Sequence, residues 1–109
     1  MADSDTPVLD TLAAMTAESL ARCGLDDNSL IAARIAALVA VDAPAASYLM
    51  HIDPAAEAGV TVEQVQDILI AVAPIVGTPR TASAAAKITE ALGIVIVALA
   101  EEIEAEENA

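Results

Sequence analysis

Alanine occupies 27 of the 109 positions, and the chain has no Phe, no Trp and one Tyr, Tyr48. A core made from alanine and aliphatic side chains favours helices that approach closely. It argues against a sandwich or barrel, where aromatic and β-branched residues are expected. The hydrophobic share of 57% is too high for a disordered chain except at its ends. A length of 109 residues fits one domain. The expected architecture is therefore all-α, a single domain over residues 1–109 of about five helices, with 1–5 and 104–109 as frayed ends.

Turn and cap residues divide the chain into those helices. Thr6-Pro7 joins an N-cap to a proline in the first turn, and the helix it opens should run to about Cys23, with Gly24 as a left-handed C-terminal residue. Asp26, Asp27 and Asn28 offer caps for a second helix ending near Val41 or Asp42. Pro44 can open a third that stops at Gly59. Thr61 with Gln64 three residues on forms a capping box for the fourth. Gly77 ends that helix, and Thr78-Pro79 repeats the cap-plus-proline device for the fifth.

Apolar spacing agrees with this division. Val65, Ile68, Leu69, Val72, Ile75 and Val76 form one stripe in the fourth helix, and Ile88, Leu92, Val95, Leu99 and Ile103 form another in the fifth. Ile94-Val95-Ile96-Val97 would pass for a strand by itself, but strong helix formers on both sides assign it to helix. Ile94 and Val97 widen the apolar face beyond what five short helices can cover, which implies contacts between subunits.

Charge narrows the partners. Seventeen acidic residues against four basic ones give a net charge of −13. Nucleic acid and anionic bilayers are both bound through Lys and Arg, so neither is expected as a partner. The longest charge-free run near the C-terminus, Ala91 to Ala100, is half the length of a membrane span of about 20 residues. Met1 to Asp5 has neither the basic nor the apolar part of a signal peptide, and the single Cys23 permits no internal disulfide. The expectation is a soluble, cytoplasmic protein.

Few residues could carry chemistry. His51 is the only histidine, with Ser47 one turn earlier and Tyr48 three residues before it. An imidazole can act as a general base, and a nearby serine as its nucleophile or orienting donor. A histidine simply packed at a subunit contact is the plainer reading. Pro54, close behind, should disturb the helix ladder. Arg34 stands in the apolar second helix, as a clamp for a substrate carboxylate or as half of a salt bridge. Catalysis is thus assigned to His51 and Ser47, and substrate binding to Arg34 and Tyr48. One histidine and scattered carboxylates supply no metal-ligand spacing, so no metal or cofactor is expected. Cys23 lies near a helix C-terminus, away from the positive field that activates a thiol, and reads as structural.

His51, then Gly59-Val60-Thr61-Val62-Glu63-Gln64, then Gly77-Thr78-Pro79 form a frame that resembles the carboxymuconolactone decarboxylase and alkylhydroperoxidase D-like family. With the alanine- and leucine-rich helices around it, the resemblance runs from about Ser29 to Leu92. It implies an all-helical subunit, assembly into a homotrimer or homohexamer, and a site between helices near the histidine. The departures are specific. Peroxidase members carry C-x-x-C-x-x-x-H, and the two cysteine positions here hold Pro44 and Ser47, while the glutamate position of the preceding helix falls near Ala32. Thiol peroxide chemistry needs a thiolate and a resolving partner, so none is expected. Decarboxylase-like members often have an arginine two residues after the histidine and a tyrosine before the G-x-P turn, where this chain has Asp53 and Ile75. The resemblance leaves a lyase-like protein that acts on or binds a small organic acid or lactone. One rival is an oligomeric structural protein whose site has decayed. A remoter one is an acyl carrier-like protein, suggested by Asp27-Asn28-Ser29-Leu30, although Asn28 stands where the carrier motif has aspartate.

Overall fold

The computed structural model describes residues 4–108, and those residues form five helices and no strand. They are α1 (Pro7–Arg22), α2 (Asp27–Ala40), α3 (Ala45–Glu57), α4 (Val62–Val76) and α5 (Thr78–Glu107). The all-α expectation holds. Helices α2 to α5 form a bundle in which α2 packs on α3, α4 and α5, and α5 also packs on α3 and α4.

Two clusters make the core. In one, Val39, Ala43, Tyr48, Ala84 and Ala91 are buried, with Leu69, Val72 and Ile88 partly buried around them. In the other, Leu30, Ile31 and Ile35 of α2 meet Cys23, Val60, Val65 and Ile68. Alanines at Ala84 and Ala91 let α5 approach closely enough for the lone tyrosine to be enclosed. The α4 stripe faces this core except for Ile75, which is 87% exposed. On α5 the inner face is Ala84, Ile88 and Ala91, whereas Leu99 and Ile103 lie in solvent.

Local signals explain most boundaries, and several act differently from expectation. The Asp26 side chain caps α2 by accepting from the Ser29 N–H (2.8 Å), and Thr61 caps α4 by accepting from the Gln64 N–H (3.0 Å). The capping box is only half made, because the Gln64 side chain turns to Asn28: Gln64 Nε2 donates to Asn28 Oδ1 (2.6 Å) and Asn28 Nδ2 donates to Gln64 Oε1 (3.0 Å). Asn28 Nδ2 also reaches the Ala58 carbonyl, so one amide pair ties α2, α3 and α4 together. Gly59 and Gly77 adopt positive φ (76° and 89°) and end α3 and α4. Gly24 does not: the chain leaves α1 through Cys23 in extended conformation. Thr6 precedes α1, but its hydroxyl donates to Asp10 instead of capping the backbone. Thr78 is the first residue of α5, with Gly77 as its N-cap, so the second cap-plus-proline device is displaced by one residue. Pro54 is carried inside α3, which continues to Glu57.

Two parts stand apart from the bundle. Helix α1 buries none of its residues, and Val8, Leu9, Leu12, Met15 and Leu20 are exposed. Helix α5 continues in helical form through Glu107, past the point where fraying is expected, with Ile94, Ile96, Val97, Leu99 and Ile103 exposed. Residues 1–3 and 109 of the expected frayed ends lie outside the described residues. The Cα radius of gyration is 16.3 Å, against about 13 Å for a compact domain of this length. The charge-free run Ala91–Ala100 also understates α5. By length and composition this one helix, with a window of mean hydropathy 1.7, is long and apolar enough to cross a bilayer.

Candidate functional site

Alanines on α3 leave space where larger residues would fill the bundle. Helix α3 turns Tyr48, His51, Ile52 and Ala55 inward, and together with α4 and α5 they enclose an open cleft of about 390 Å³. Its α4 wall is Val62, Val65, Gln66 and Leu69, and its α5 wall is Ala85, Ile88, Thr89 and Leu92. The lining is mostly apolar, with Tyr48, His51, Thr61, Gln66 and Thr89 as its side chains with polar groups.

His51 is oriented by its own helix. Its Nδ1 lies 2.7 Å from the Ser47 carbonyl oxygen. A carbonyl can only accept, so Nδ1 carries the proton and donates it. In the neutral ring, Nε2 then holds the lone pair. A half-buried imidazole with a fixed tautomer, lining an apolar cleft, can accept a proton or a hydrogen bond from a bound molecule.

The sequence-derived site residues are not all gathered there. Ser47 takes part through its backbone carbonyl; its hydroxyl makes no hydrogen bond to His51 and is outside the cleft lining. The serine–histidine pair is therefore a backbone contact, and the imidazole does not hold the Ser47 hydroxyl. Arg34 is also outside the cleft lining: its Nη2 donates to Ser19 Oγ of α1 (3.0 Å), and among the described residues it makes no salt bridge. Arg80 donates to the Ala40 carbonyl, and Lys87 pairs with Asp42 (2.9 Å). Among the described residues the cleft lining has no cation. Asp53 is exposed, so the position two after the histidine adds no positive charge.

Tyr48 does line the cleft, and its hydroxyl is buried without a hydrogen-bond partner. Burial, with the nearby Asp42 carboxylate, raises the phenol above its usual range and keeps it neutral. Thr61, Gln66 and Thr89 are the polar lining groups that sequence reasoning missed. Gln66 could have been found as the one polar side chain one turn after Val62 and three residues before Leu69. Thr89 could have been found beside Ile88 and three residues before Leu92. Cys23 packs in the other core cluster and is not part of the cleft lining. Among the described residues no group of His, Cys, Asp and Glu could hold a metal ion.

No curated protein and no solved structure matches the chain. The family model for carboxymuconolactone decarboxylases matches residues 7–91, which takes in α1 to α4, the first half of α5 and the His51 cleft except for Leu92. That stretch contains Ser29, so the segment that suggested an acyl carrier lies within the family match. A match over so much of the sequence, on a helical bundle with its histidine on the cleft wall, shows that the chain belongs to the carboxymuconolactone decarboxylase family.

Proposed function

We propose that the protein binds, and acts on, a small organic molecule with a largely apolar body and one polar end, a lactone or the organic acid related to it. His51 Nε2 is the proton or hydrogen-bond acceptor. The observation that carries this reading is the Nδ1–H bond to the Ser47 carbonyl, which in the neutral ring puts the lone pair on Nε2 of a cleft-lining imidazole. The apolar walls suit the body of such a ligand, and Thr61, Gln66 and Thr89 suit its polar end. With no cation in the lining, a neutral lactone fits better than a free carboxylate. Thiol peroxide chemistry forms no part of the proposal, since Cys23 is the only cysteine, has no second thiol to resolve it and is not in the cleft lining.

The working unit is a homo-oligomer, supported by the exposed apolar residues of α1 and α5, and its setting is the cytoplasm, in line with the strongly acidic composition. A structural oligomer with a decayed site is the second reading, favoured by the missing cation. His51→Ala separates the two. In the proposal, lactones and short carboxylic acids shift the amide NMR signals of Thr61, Gln66 and Thr89 in the native chain. The variant loses those shifts while giving up less than about 2 kcal/mol of stability. Dissociation of the variant into monomers, with no compound shifting the native signals, would assign His51 to packing.

A further inference from the structure

The second half of α5 carries a pattern that its own chain does not use. Ala85, Thr89, Leu92, Ile96, Leu99 and Ile103 follow one another at alternating intervals of four and three. This is the spacing of a coiled-coil seam, in which one helix lays a narrow stripe against another. The first three residues of the stripe belong to the α5 wall of the His51 cleft. The last three are 64%, 52% and 57% exposed. The stripe therefore runs without a break from the rim of the site into an uncovered apolar face.

We infer that this stripe is occupied by the same stripe of a second copy running antiparallel, so that the partner's tail covers the α5 rim of the His51 cleft. The direction follows from charge. Glu101, Glu102, Glu104, Glu106 and Glu107 crowd the C-terminal end of α5, whereas its only cations, Arg80 and Lys87, lie in the N-terminal half. Parallel pairing would set the two acidic ends side by side, and antiparallel pairing sets each beside the other chain's basic half. The register follows from the stripe. Laying the partner's Ile96 on Leu92 also lays its Leu99 on Thr89 and its Ile103 on Ala85. A shift of one heptad either way leaves two of the six residues unmatched. Gly93, beside the stripe, would have nothing within 4 Å of an added Cβ, so no group of its own chain blocks the approach.

The inference rests on the His51 reading for its meaning, but it also stands as geometry. The cleft of one subunit is complete only when Ile96, Leu99 and Ile103 of the other cover its rim. A bilayer is the competing cover for an apolar helix. Lys87 and Glu90 within α5, and the acidic run at its end, oppose insertion beside anionic lipid.

Cysteine pairing tests the arrangement in a Cys23→Ser background. Residues 85 and 103 lie about 27 Å apart along one helix, beyond the roughly 5.5 Å Cα separation of a disulfide. A disulfide in the Ala85→Cys/Ile103→Cys double variant must therefore join two chains. The expected result is a covalent dimer for the double variant under mild oxidation, and none for either single variant. Cross-linking of a single variant would mean parallel helices. Absence of a cross-link in the double variant, or sedimentation of the chain with phosphatidylcholine and phosphatidylserine vesicles, would overturn the proposal. Closure of the cleft is read from His51, the sole histidine. Diethyl pyrocarbonate should modify it several-fold more slowly in the cross-linked dimer than in an Ile96→Glu/Leu99→Glu monomer, and equal rates would refute closure. None of these measurements needs a ligand, so their failure leaves the His51 binding assay to be judged separately.

Discussion

The Tyr48 hydroxyl has no partner although it is buried, and such a group costs about 1–3 kcal/mol when left unsatisfied. Phenylalanine keeps the ring that Val39, Ala84 and Ala91 pack against and removes the stranded oxygen. Tyr48→Phe should be neutral or stabilising by up to about 1 kcal/mol in urea denaturation. A clear loss of stability would reveal a hydrogen-bond partner for the hydroxyl. Asp42 makes the opposite case. It sits at φ 52°, a left-handed conformation that Asp tolerates, and accepts from Ser83 Oγ (2.7 Å) and Lys87 Nζ (2.9 Å). Those bonds, Ser83's first, lower its carboxyl below the usual range, despite an opposing effect of desolvation. A depressed carboxyl stabilises the fold above the ordinary Asp pKa of about 3.9, and the benefit is lost as pH falls through the lowered value. The melting temperature of Asp42→Asn should therefore lie below that of the native chain at pH 7, and the gap should close toward pH 2. A gap independent of pH would show that the carboxylate charge is not what matters there.

At the scale of the element, the boundaries were legible wherever one residue had one use. Asp26 and Thr61 cap as their types predict, and Gly59 and Gly77 turn with positive φ. The sequence misled where a side chain had a choice of partners. Gln64 satisfies the pattern of a capping box, yet its amide is bonded across the bundle to Asn28, a contact 36 residues away that no local motif can announce. Arg34 is similar: its position in an apolar helix marks it as needing a partner, but the choice of Ser19 depends on where α1 lies. The histidine was legible and its serine partner only half so, because the helical spacing that brings Ser47 near His51 serves its backbone oxygen as readily as its hydroxyl. The cleft itself was not legible, since a void depends on what three helices fail to fill. The Asn28–Gln64 pair also gives a test at this scale. Alanine at either position breaks the same tie, so the two losses should not add. A double-mutant cycle should return a coupling between about 0.5 and 3 kcal/mol, and zero coupling would mean that the helix termini are held by their caps alone.

The whole molecule combines an extended shape with a strong net charge, and the two pull against each other. A radius of gyration of 16.3 Å reflects α1 and the end of α5 standing off the bundle, with apolar residues that association can bury. Association gathers −13 from every subunit, and that repulsion grows with each chain added. Within one subunit only two ion pairs join the described residues, Arg22–Glu18 on the surface of α1 and Lys87–Asp42, so screening has few favourable contacts to weaken there. Salt shortens the reach of the repulsion, from about 30 Å at 0.01 M to about 8 Å at 0.15 M, while leaving apolar burial intact. Melting temperature and oligomer mass should both rise as sodium chloride increases across that range, most steeply at the low end. The Glu101, Glu102, Glu104, Glu106 and Glu107 run should account for part of the effect. Replacing those five residues with Gln should raise the melting temperature in low salt and flatten its dependence on salt. A melting temperature that falls between low and moderate salt would mean that attraction between opposite charges, not repulsion among like ones, governs the assembly.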